Sequence, residues 1–374
     1  MNPATIERIE TAIVDLPTIR PHHLSMTVMR TQALVIVRLF CSDGIEGLGE
    51  ATTIGGLSYG AESPEGMQLT IDTYLAPALL GRDAGAIHAA MHALDVVAYG
   101  NRFAKSALET ALLDAQGKRL GVPVATLLGG AVTPTLPVLW TLASGDTAKD
   151  LAEAEELLAA GRHNTFKLKI GRQEPAADLA HVAAIRRAVG SRGRITVDVN
   201  QAWDESGAKR SLAALQEMGV DLVEQPIARD NRRGLARLTR RFTMPVMADE
   251  ALGSVADAFA LAEMRAADVF SLKIAPAGGL YNVLKTAAVA EGAGISLYGG
   301  TMLEGTIGTV AAAHAFSTLR HLSWGTELFG PLLLTDDIVQ QRIDYRDGVM
   351  HLPPGAGLGL ELDLDKFDYY KRPH

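Results

Sequence analysis

The chain has 374 residues, of which 48% are hydrophobic and 21% are charged, a composition typical of a globular protein with a large buried core. Its formal net charge of −8 lacks the basic excess of a nucleic-acid-binding protein, and no apolar segment approaches the ~20 residues that span a bilayer. Cys41 is the only cysteine, which excludes a disulfide within the chain. The stretch MNPATIERIE lacks the basic start and apolar run of a signal peptide, so we expect a cytoplasmic protein.

Residues 1–130 are predicted to form an α+β domain. Branched residues in IERIETAIVDLP and in TQALVIVRLFCSDGIEGLGEAT predict strands, and SDG predicts a hairpin turn. From about residue 66 the pattern becomes helical, and SALETALLDAQGKRLG predicts a helix that ends at Gly121. Strands followed by helices are typical of an α+β unit.

Residues 131–330 alternate short apolar runs with alanine-rich segments. Eight runs predict strands, namely LPVLWTLAS, TFKLKI, RITVDVN, DLVEQP, MPVMADE, DVFSLKI, GISLYGG and LSWGTEL. Segments such as PAADLAHVAAIRRAVG and SVADAFALAEMRAAD predict the intervening helices. The charged strand ends recur every 24 to 29 positions from Lys169 to Lys273, about the length of one strand, one helix and two loops. Eight such units predict a (β/α)8 TIM-type barrel, and the tail, residues 331–374, is predicted to pack back on the first domain.

Charged side chains gather at the predicted carboxyl ends of the barrel strands. In TFKLKI, Lys167 and Lys169 leave the strand on the same face because side chains alternate. The later strands end in further polar residues, namely Asp198, Asn200, Glu224, Asp249, Lys273 and Glu327. A helix cap or a surface ion pair explains any one of them, but the joint pattern favours one shared site, since barrel active sites lie at this rim.

Three carboxylates on successive strands suit a hard divalent cation, namely those of Asp198, Glu224 and Asp249. Mg²⁺ and Mn²⁺ prefer such oxygen ligands, and the sequence has no cysteine–histidine cluster with zinc spacing. Lysines come from the strand before and the strand after the ligands. A metal and a second amine nearby would lower a lysine pKa, so that one lysine can act as a base. The predicted chemistry is reversible proton transfer alpha to a carboxylate, with the metal stabilising the enolate charge.

Six motifs together resemble the muconate-lactonising branch of the enolase superfamily, namely FKLKIG, VDVNQAWDE, LVEQPI, VMADEAL, FSLKIA and GTELFGP. The resemblance runs essentially end to end, and TTIGG, WTLASGD and GGTMLEG are similar to muconate cycloisomerases in particular. It implies an N-terminal α+β capping domain, a Mn²⁺ or Mg²⁺ cofactor and a homo-octamer. The implied substrate is a small dicarboxylate: cis,cis-muconate would be converted to muconolactone in aromatic catabolism, on the catechol and β-ketoadipate route.

The resemblance also implies a role for each site residue. Asp198, Glu224 and Asp249 would hold the metal. Lys169 would be the general acid/base with Lys167 tuning it, Lys273 would lie on the opposite face of the substrate, and Glu327 would hydrogen-bond the substrate near the metal. Two cap loops, residues 17–26 and 53–60, would close over the barrel mouth. The implied substrate contacts are Ile19, Ile54, Tyr59, Asn200, Ser271 and Phe329.

Several alternatives stay open. Ile54, Ser271 and Phe329 leave the preference for chlorinated muconates undecided, and dipeptide epimerases and o-succinylbenzoate synthases share the same lysines and ligands. A Schiff-base aldolase would also use barrel lysines, although the three carboxylates argue against it. A non-catalytic scaffold is disfavoured because unpaired buried charges are costly to retain. His22 and His23 are interpreted as surface histidines, since loops are exposed.

Overall fold

The computed structural model describes residues 3–373; Met1, Asn2 and His374 lie outside the described residues. The chain begins with an antiparallel sheet of three strands, β1 (Ile6–His23), β2 (Val28–Cys41) and β3 (Glu46–Thr52). The predicted SDG turn joins β2 to β3. Residues 17–23, which were predicted to belong to a loop, instead continue β1, so that only residues 24–27 turn the chain into β2.

Helices cover one face of this sheet. They are α1 (Pro64–Thr70), α2 (Ala76–Leu79), α3 (Ile87–Val97), α4 (Arg102–Leu120) and α5 (Val124–Leu127), with a π-helical turn at Ile71–Leu75 and a 3-10 turn at Gly56–Ser58. Helix α4 ends at Gly121, as predicted, in the left-handed conformation with φ 68°. It lies directly against β3 because Gly47 and Gly49 have no side chain, and a Cβ at either position would collide with a carbonyl oxygen of α4.

The predicted run LPVLWTLAS divides into β4 (Thr135–Pro137) and β5 (Trp140–Leu142), and β5 begins a curled parallel sheet. Its other strands follow in chain order as β6 (Thr165–Lys169), β7 (Arg194–Asp198), β8 (Leu222–Glu224), β9 (Val246–Ala248), β10 (Val269–Leu272) and β11 (Ser296–Gly299). The outer helices are α6 (Thr147–Ala159), α7 (Pro175–Val189), α8 (Glu205–Glu217), α9 (Arg232–Arg241), α10 (Val255–Met264), α11 (Ile274–Ala277), α12 (Leu280–Ala293) and α13 (Thr306–Ser317), with a 3-10 turn at Gly190–Arg192.

The predicted eighth strand, LSWGTEL, does not form, and that prediction is wrong in its secondary structure. The segment nevertheless occupies the eighth position, because Thr326 bridges Val138 on one side and Gly299 on the other. The amide of Leu139 donates to Thr326 O at 2.9 Å, and the amide of Glu327 donates to Gly299 O at 2.7 Å. Gly325, with φ 68°, bends the backbone out of the strand conformation, so the sheet closes through isolated bridges at Thr326.

The tail contacts both parts of the chain rather than the first domain alone. After a 3-10 turn at Gly330–Leu333, strand β12 (Asp344–Arg346) pairs with β13 (Val349–His351), and β13 pairs with β4. Helix α14 (Leu364–Tyr370) then returns to the first sheet, where Arg372 N donates to Ile13 O at 2.8 Å. The boundaries 1–130, 131–330 and 331–374 stay a prediction. Across residues 3–373, none of the helices combines the length and apolar character needed to cross a membrane.

Candidate active site

Lysines and carboxylates lie together at the strand ends of the curled sheet. The register pairs Lys169 with Asp198 and Asp198 with Glu224 on three neighbouring strands. Lys169 Nζ lies 2.5 Å from Asp198 Oδ2, and Lys273 Nζ lies 2.7 Å from Asp249 Oδ2. The predicted lysines and predicted metal ligands are therefore gathered at one rim.

Lys167 is the centre of this arrangement. Its Nζ lies 2.6 Å from Glu224 Oε2 and 2.6 Å from Glu327 Oε2, and its side chain is 1% exposed. Glu327 also accepts a hydrogen bond from Thr141 Oγ1 at 3.0 Å, while the ring of Tyr298 lies 4.7 Å from Lys167 Nζ. Buried charges are costly unless they are paired, and here each ammonium has a carboxylate partner.

The protein charges alone raise the pKa of the site lysines. Burial would lower the pKa of Lys167, but the carboxylates of Glu224 and Glu327 outweigh burial and raise it well above its usual value. Asp249 likewise outweighs burial and raises the pKa of Lys273 to about 12. The lowered lysine pKa predicted from the sequence depended on a metal ion and a second amine nearby, and the surrounding carboxylates act in the opposite direction.

The three predicted ligands form a donor set that fits a hard divalent cation. Burial, and then the negative charge of Asp198, raise the pKa of Glu224 well above its usual value. Glu224 Oε2 is buried without a hydrogen-bond partner, although Lys167 lies close to it. Mn²⁺ or Mg²⁺ among these oxygens would offset both effects. In residues 3–373 no three His, Cys, Asp or Glu side chains are already gathered in metal-binding geometry, since a lysine draws each carboxylate towards itself.

A small cavity lies between this rim and the first sheet. Its barrel side is lined by Lys169, Asp198, Glu224, Lys273, Thr301, Leu303 and Glu327. Its cap side is lined by His22, Leu24, Ile54 and Tyr59. The hydroxyl of Tyr59 donates to Asp249 Oδ2 at 2.5 Å and accepts from Lys273 Nζ at 2.5 Å. The predicted cap residues Ile54 and Tyr59 therefore reach the predicted site.

The structure places three of the predicted substrate contacts away from this cavity. Ile19 is 50% exposed, because β1 continues through this position and side-chain alternation turns Ile19 outwards. Phe329 is fully buried with its ring centroid 5.2 Å from that of Trp140. Ser271 is also buried, with Oγ lacking a partner, and a Cβ at Gly300 would collide with it. These three side chains are not among those that line the cavity, and their contact with substrate stays a prediction.

Asn200 does not line the cavity but contacts Asp198, one of the predicted metal ligands. Its Nδ2 lies 3.2 Å from Asp198 Oδ2 and 3.1 Å from Glu250 Oε1. The sequence analysis did not identify Glu250, Thr141 or Tyr298 as site residues. Thr141 and Tyr298 lie on barrel strands, so side-chain alternation could have identified these two. The sequence analysis also interpreted His22 as a surface histidine, whereas His22 is 1% exposed in the cavity wall, and that interpretation is wrong.

Comparison with known proteins places this geometry in a family. Residues 8–129 match the model of the mandelate racemase / muconate lactonizing enzyme N-terminal domain, and residues 149–366 match that of the enolase C-terminal domain-like family. The chain belongs to the mandelate racemase/muconate lactonizing enzyme family. It is an enzyme of the enolase superfamily, as the motifs predicted.

Individual members of this family match the chain over its full length. It is 60% identical to muconate cycloisomerase 1 of Pseudomonas putida over 374 residues, covering 100% of both chains. It is 47% identical to a chloromuconate cycloisomerase of Cupriavidus necator, covering 98% of this chain and 99% of that protein. The crystal structure of muconate lactonizing enzyme from Pseudomonas fluorescens in complex with muconolactone superposes with a TM-score of 0.98 at 58% identity, covering 99% of this chain and 100% of that one.

Proposed function

We propose that this enzyme is a muconate cycloisomerase, which converts cis,cis-muconate to muconolactone and back. The observation that carries the proposal is the buried cluster of paired lysines and carboxylates around one small cavity. The 60% identity to a muconate cycloisomerase over the whole chain supports the same substrate.

In the proposed reaction, one substrate carboxylate oxygen adds across a carbon–carbon double bond and closes the lactone ring. The electron pair of that double bond moves to the carbon next to the second carboxylate. Lys169 donates its proton to this carbon and regains one from solvent, so the dianion plus one proton becomes the lactone monoanion. In the reverse direction the uncharged amine of Lys169 removes the same proton.

Asp198, Glu224 and Asp249 would hold the metal, for which we propose Mn²⁺ or Mg²⁺. When bound, the ion would stabilise the negative charge that develops on the second carboxylate. Lys167 and Glu327 position one another beside Lys169. Lys273, held by Asp249 and Tyr59, would lie on the opposite face of the substrate, as the resemblance implies. Packing of Leu24 and Ile54 against the cavity excludes water, which strengthens these electrostatic interactions.

The finer assignments rest on the resemblance. A homo-octamer, a place in aromatic catabolism and a cytoplasmic location stay predictions. Ile19, Ser271 and Phe329 would reach the substrate only after a rearrangement of the cap and barrel rim. A preference for chlorinated muconates is the second candidate, because chloromuconate cycloisomerases are 47% identical to this chain.

The decisive experiment follows the loss of diene absorbance when the purified enzyme, loaded with Mn²⁺, is mixed with cis,cis-muconate. We expect turnover by the natural chain and a loss of ~10²-fold or more in kcat for Lys169→Met, since proton transfer to carbon needs a positioned acid. Lys149→Met removes an exposed lysine of α6 and is the matched control. The same assay with 2-chloro- and 3-chloromuconate ranks the two candidates, and absence of turnover with all three substrates contradicts the proposal.

A further inference from the structure

The end of β1 carries a histidine into the wall of the reaction cavity. His22 lies in the last pair of residues of β1, opposite Met29 of β2, and its side chain is 1% exposed. It lines the cavity together with Lys169 and Leu24. The neighbouring His23 turns the other way and contacts Arg172.

Several hydrogen bonds fix this hairpin end on the barrel rim. His23 N donates to Ala143 O at 3.0 Å, just beyond β5. Arg20 Nη2 donates to Thr141 O at 3.1 Å and to Glu153 Oε1 at 3.1 Å. On the far side of the turn, Ser25 Oγ donates to Asn200 O at 3.3 Å. The imidazole of His22 is therefore held in place by backbone and side-chain contacts on both sides of it.

The ring of His22 has an unused polar atom. Within the described part of the chain, Nδ1 of His22 is buried and has no hydrogen-bond partner. A buried polar group left unpaired costs ~1–3 kcal/mol, so a ligand in the cavity that supplied the missing partner would be bound more tightly. Burial, and then the positive charge of Lys169, hold the pKa of His22 well below its usual value, so the ring is uncharged and has one donor and one acceptor nitrogen.

The side chains of the other cap residues that line the cavity have no unpaired polar group. Leu24 and Ile54 are apolar, and the hydroxyl of Tyr59 is engaged with Asp249 and Lys273. The acidic groups Asp198, Glu224 and Glu327 all lie on the barrel side. A dicarboxylate with one end held at the barrel rim therefore presents its other end towards the cap, where His22 has the free nitrogen.

We propose that His22 donates a hydrogen bond to the substrate carboxylate that attacks the double bond, and so selects dicarboxylates. This inference rests on the proposed function, which supplies the dicarboxylate. A neutral donor suits this task better than a lysine, because it orients the carboxylate while leaving its negative charge available for attack. His22 is thus a substrate-binding residue contributed by the cap. Its position cannot be predicted from the carboxyl ends of the barrel strands.

The test is direct binding to the Mn²⁺-loaded enzyme, measured by calorimetry with adipate, an unreactive six-carbon dicarboxylate, and with hexanoate, its monocarboxylate counterpart. We expect the natural chain to bind adipate more tightly than hexanoate. His22→Phe should weaken adipate binding by ~10-fold or more, the effect of losing a hydrogen bond to a charged group, and leave hexanoate binding unchanged. His22→Gln keeps a donor and should retain part of the preference, and His23→Gln is the matched control with unchanged preference.

Each outcome either supports or overturns the assignment of His22 as a carboxylate-binding residue. Unchanged adipate binding in both His22→Phe and His22→Gln, or no preference for adipate in the natural chain, overturns the assignment. If His22→Phe does not fold, as judged by circular dichroism, the comparison of His22→Gln with His23→Gln decides it. A natural chain that prefers adipate through His22 but does not turn over muconate contradicts the proposed function while supporting His22 as a carboxylate-binding residue.

Discussion

Lys167 and Glu327 form a buried ion pair, with Nζ 2.6 Å from Oε2, that joins β6 to the segment closing the curled sheet. The two residues are 160 positions apart in the chain. The same ammonium also lies 2.6 Å from Glu224 Oε2. One lysine thus holds together three parts of the rim on which the proposed chemistry depends.

Removing this lysine should destabilise the protein strongly. Lys167→Met leaves Glu224 and Glu327 buried without their cation, and we expect a loss of ~3–5 kcal/mol in the free energy of unfolding. Adding Glu327→Gln to Lys167→Met should recover part of that loss, because one uncompensated charge disappears. Urea unfolding with a chelator present measures both. Lys209→Met breaks a solvent-accessible ion pair with Glu205 on α8, and its cost should be much smaller; equal losses in the two lysine variants contradict this account.

Metal binding should stabilise the folded chain. If Asp198, Glu224 and Asp249 hold a divalent cation, then Mn²⁺ at 100 times its dissociation constant adds about 2.7 kcal/mol to the free energy of unfolding. We expect thermal unfolding to move to higher temperature on adding Mn²⁺ or Mg²⁺ and to return on adding EDTA. Asp249→Asn should abolish the shift. Asp204→Asn changes an exposed helix cap and should keep it, and a shift that persists in Asp249→Asn places the metal elsewhere.

The conformation of the loop after β11 should depend on Gln32, a side chain of the cap. Gln32 Nε2 donates to Met302 O at 3.0 Å and to Leu303 O at 2.8 Å, and Leu303, which lines the cavity, has φ 59°. Gln32→Leu leaves two buried carbonyls without a donor, so we expect ~1–3 kcal/mol less stability. We also expect a lower kcat/KM for muconate, because the strained loop relaxes.

Gln68→Leu is the matched control for the Gln32 variant. Gln68 donates one hydrogen bond of 3.3 Å to Thr11 O, and neither residue lines the cavity. It should lower kcat/KM little. If the Gln32 and Gln68 variants have the same kcat/KM, the cap does not position this loop.

Stability should fall in mild acid because of His314. This histidine of α13 is buried between the backbones of Ala125 and Leu358, and burial lowers its pKa to about 4. The unfolded chain takes up a proton below pH 6.5 whereas the folded chain does not, so this contribution is present above pH 6.5 and lost as the pH falls towards 4. Its full size is about 3 kcal/mol.

Replacing His314 should remove its contribution to the pH dependence of the free energy of unfolding. Guanidinium unfolding of the natural chain and of His314→Gln, measured from pH 7 to pH 5, should give free energies that converge as the pH falls, because glutamine does not titrate. Parallel curves over that range indicate that His314 accepts a proton in the folded state.

Much of the fold could be predicted because its signals are local. Helix α7 was predicted from PAADLAHVAAIRRAVG, and Gly121 ends α4 because only a residue without a Cβ readily adopts φ 68°. The charged strand ends could be placed together because carboxyl ends of parallel strands meet at one rim, which the register of Lys169, Asp198 and Glu224 confirms.

The remaining features depend on contacts between residues far apart in the chain. The closing segment at Thr326 is held by hydrogen bonds to β11 and to residues 137–139. No local sequence pattern shows that a segment without strand conformation will fill the gap between these two parts of the chain. Ile19 faces outwards and His22 inwards because β1 runs on to His23 and docks against the barrel.

The amino-acid sequence alone therefore determined which elements form and which charged groups share a rim, because hydrophobic periodicity and side-chain alternation act over a few residues. The tertiary structure decided which lysine pairs with which carboxylate, and that Lys167 serves both Glu224 and Glu327. It also decided that His22 lines the cavity. Those outcomes depend on burial and on distances between separate strands, because the cost of a buried charge is set by whichever partner the folded chain brings within reach.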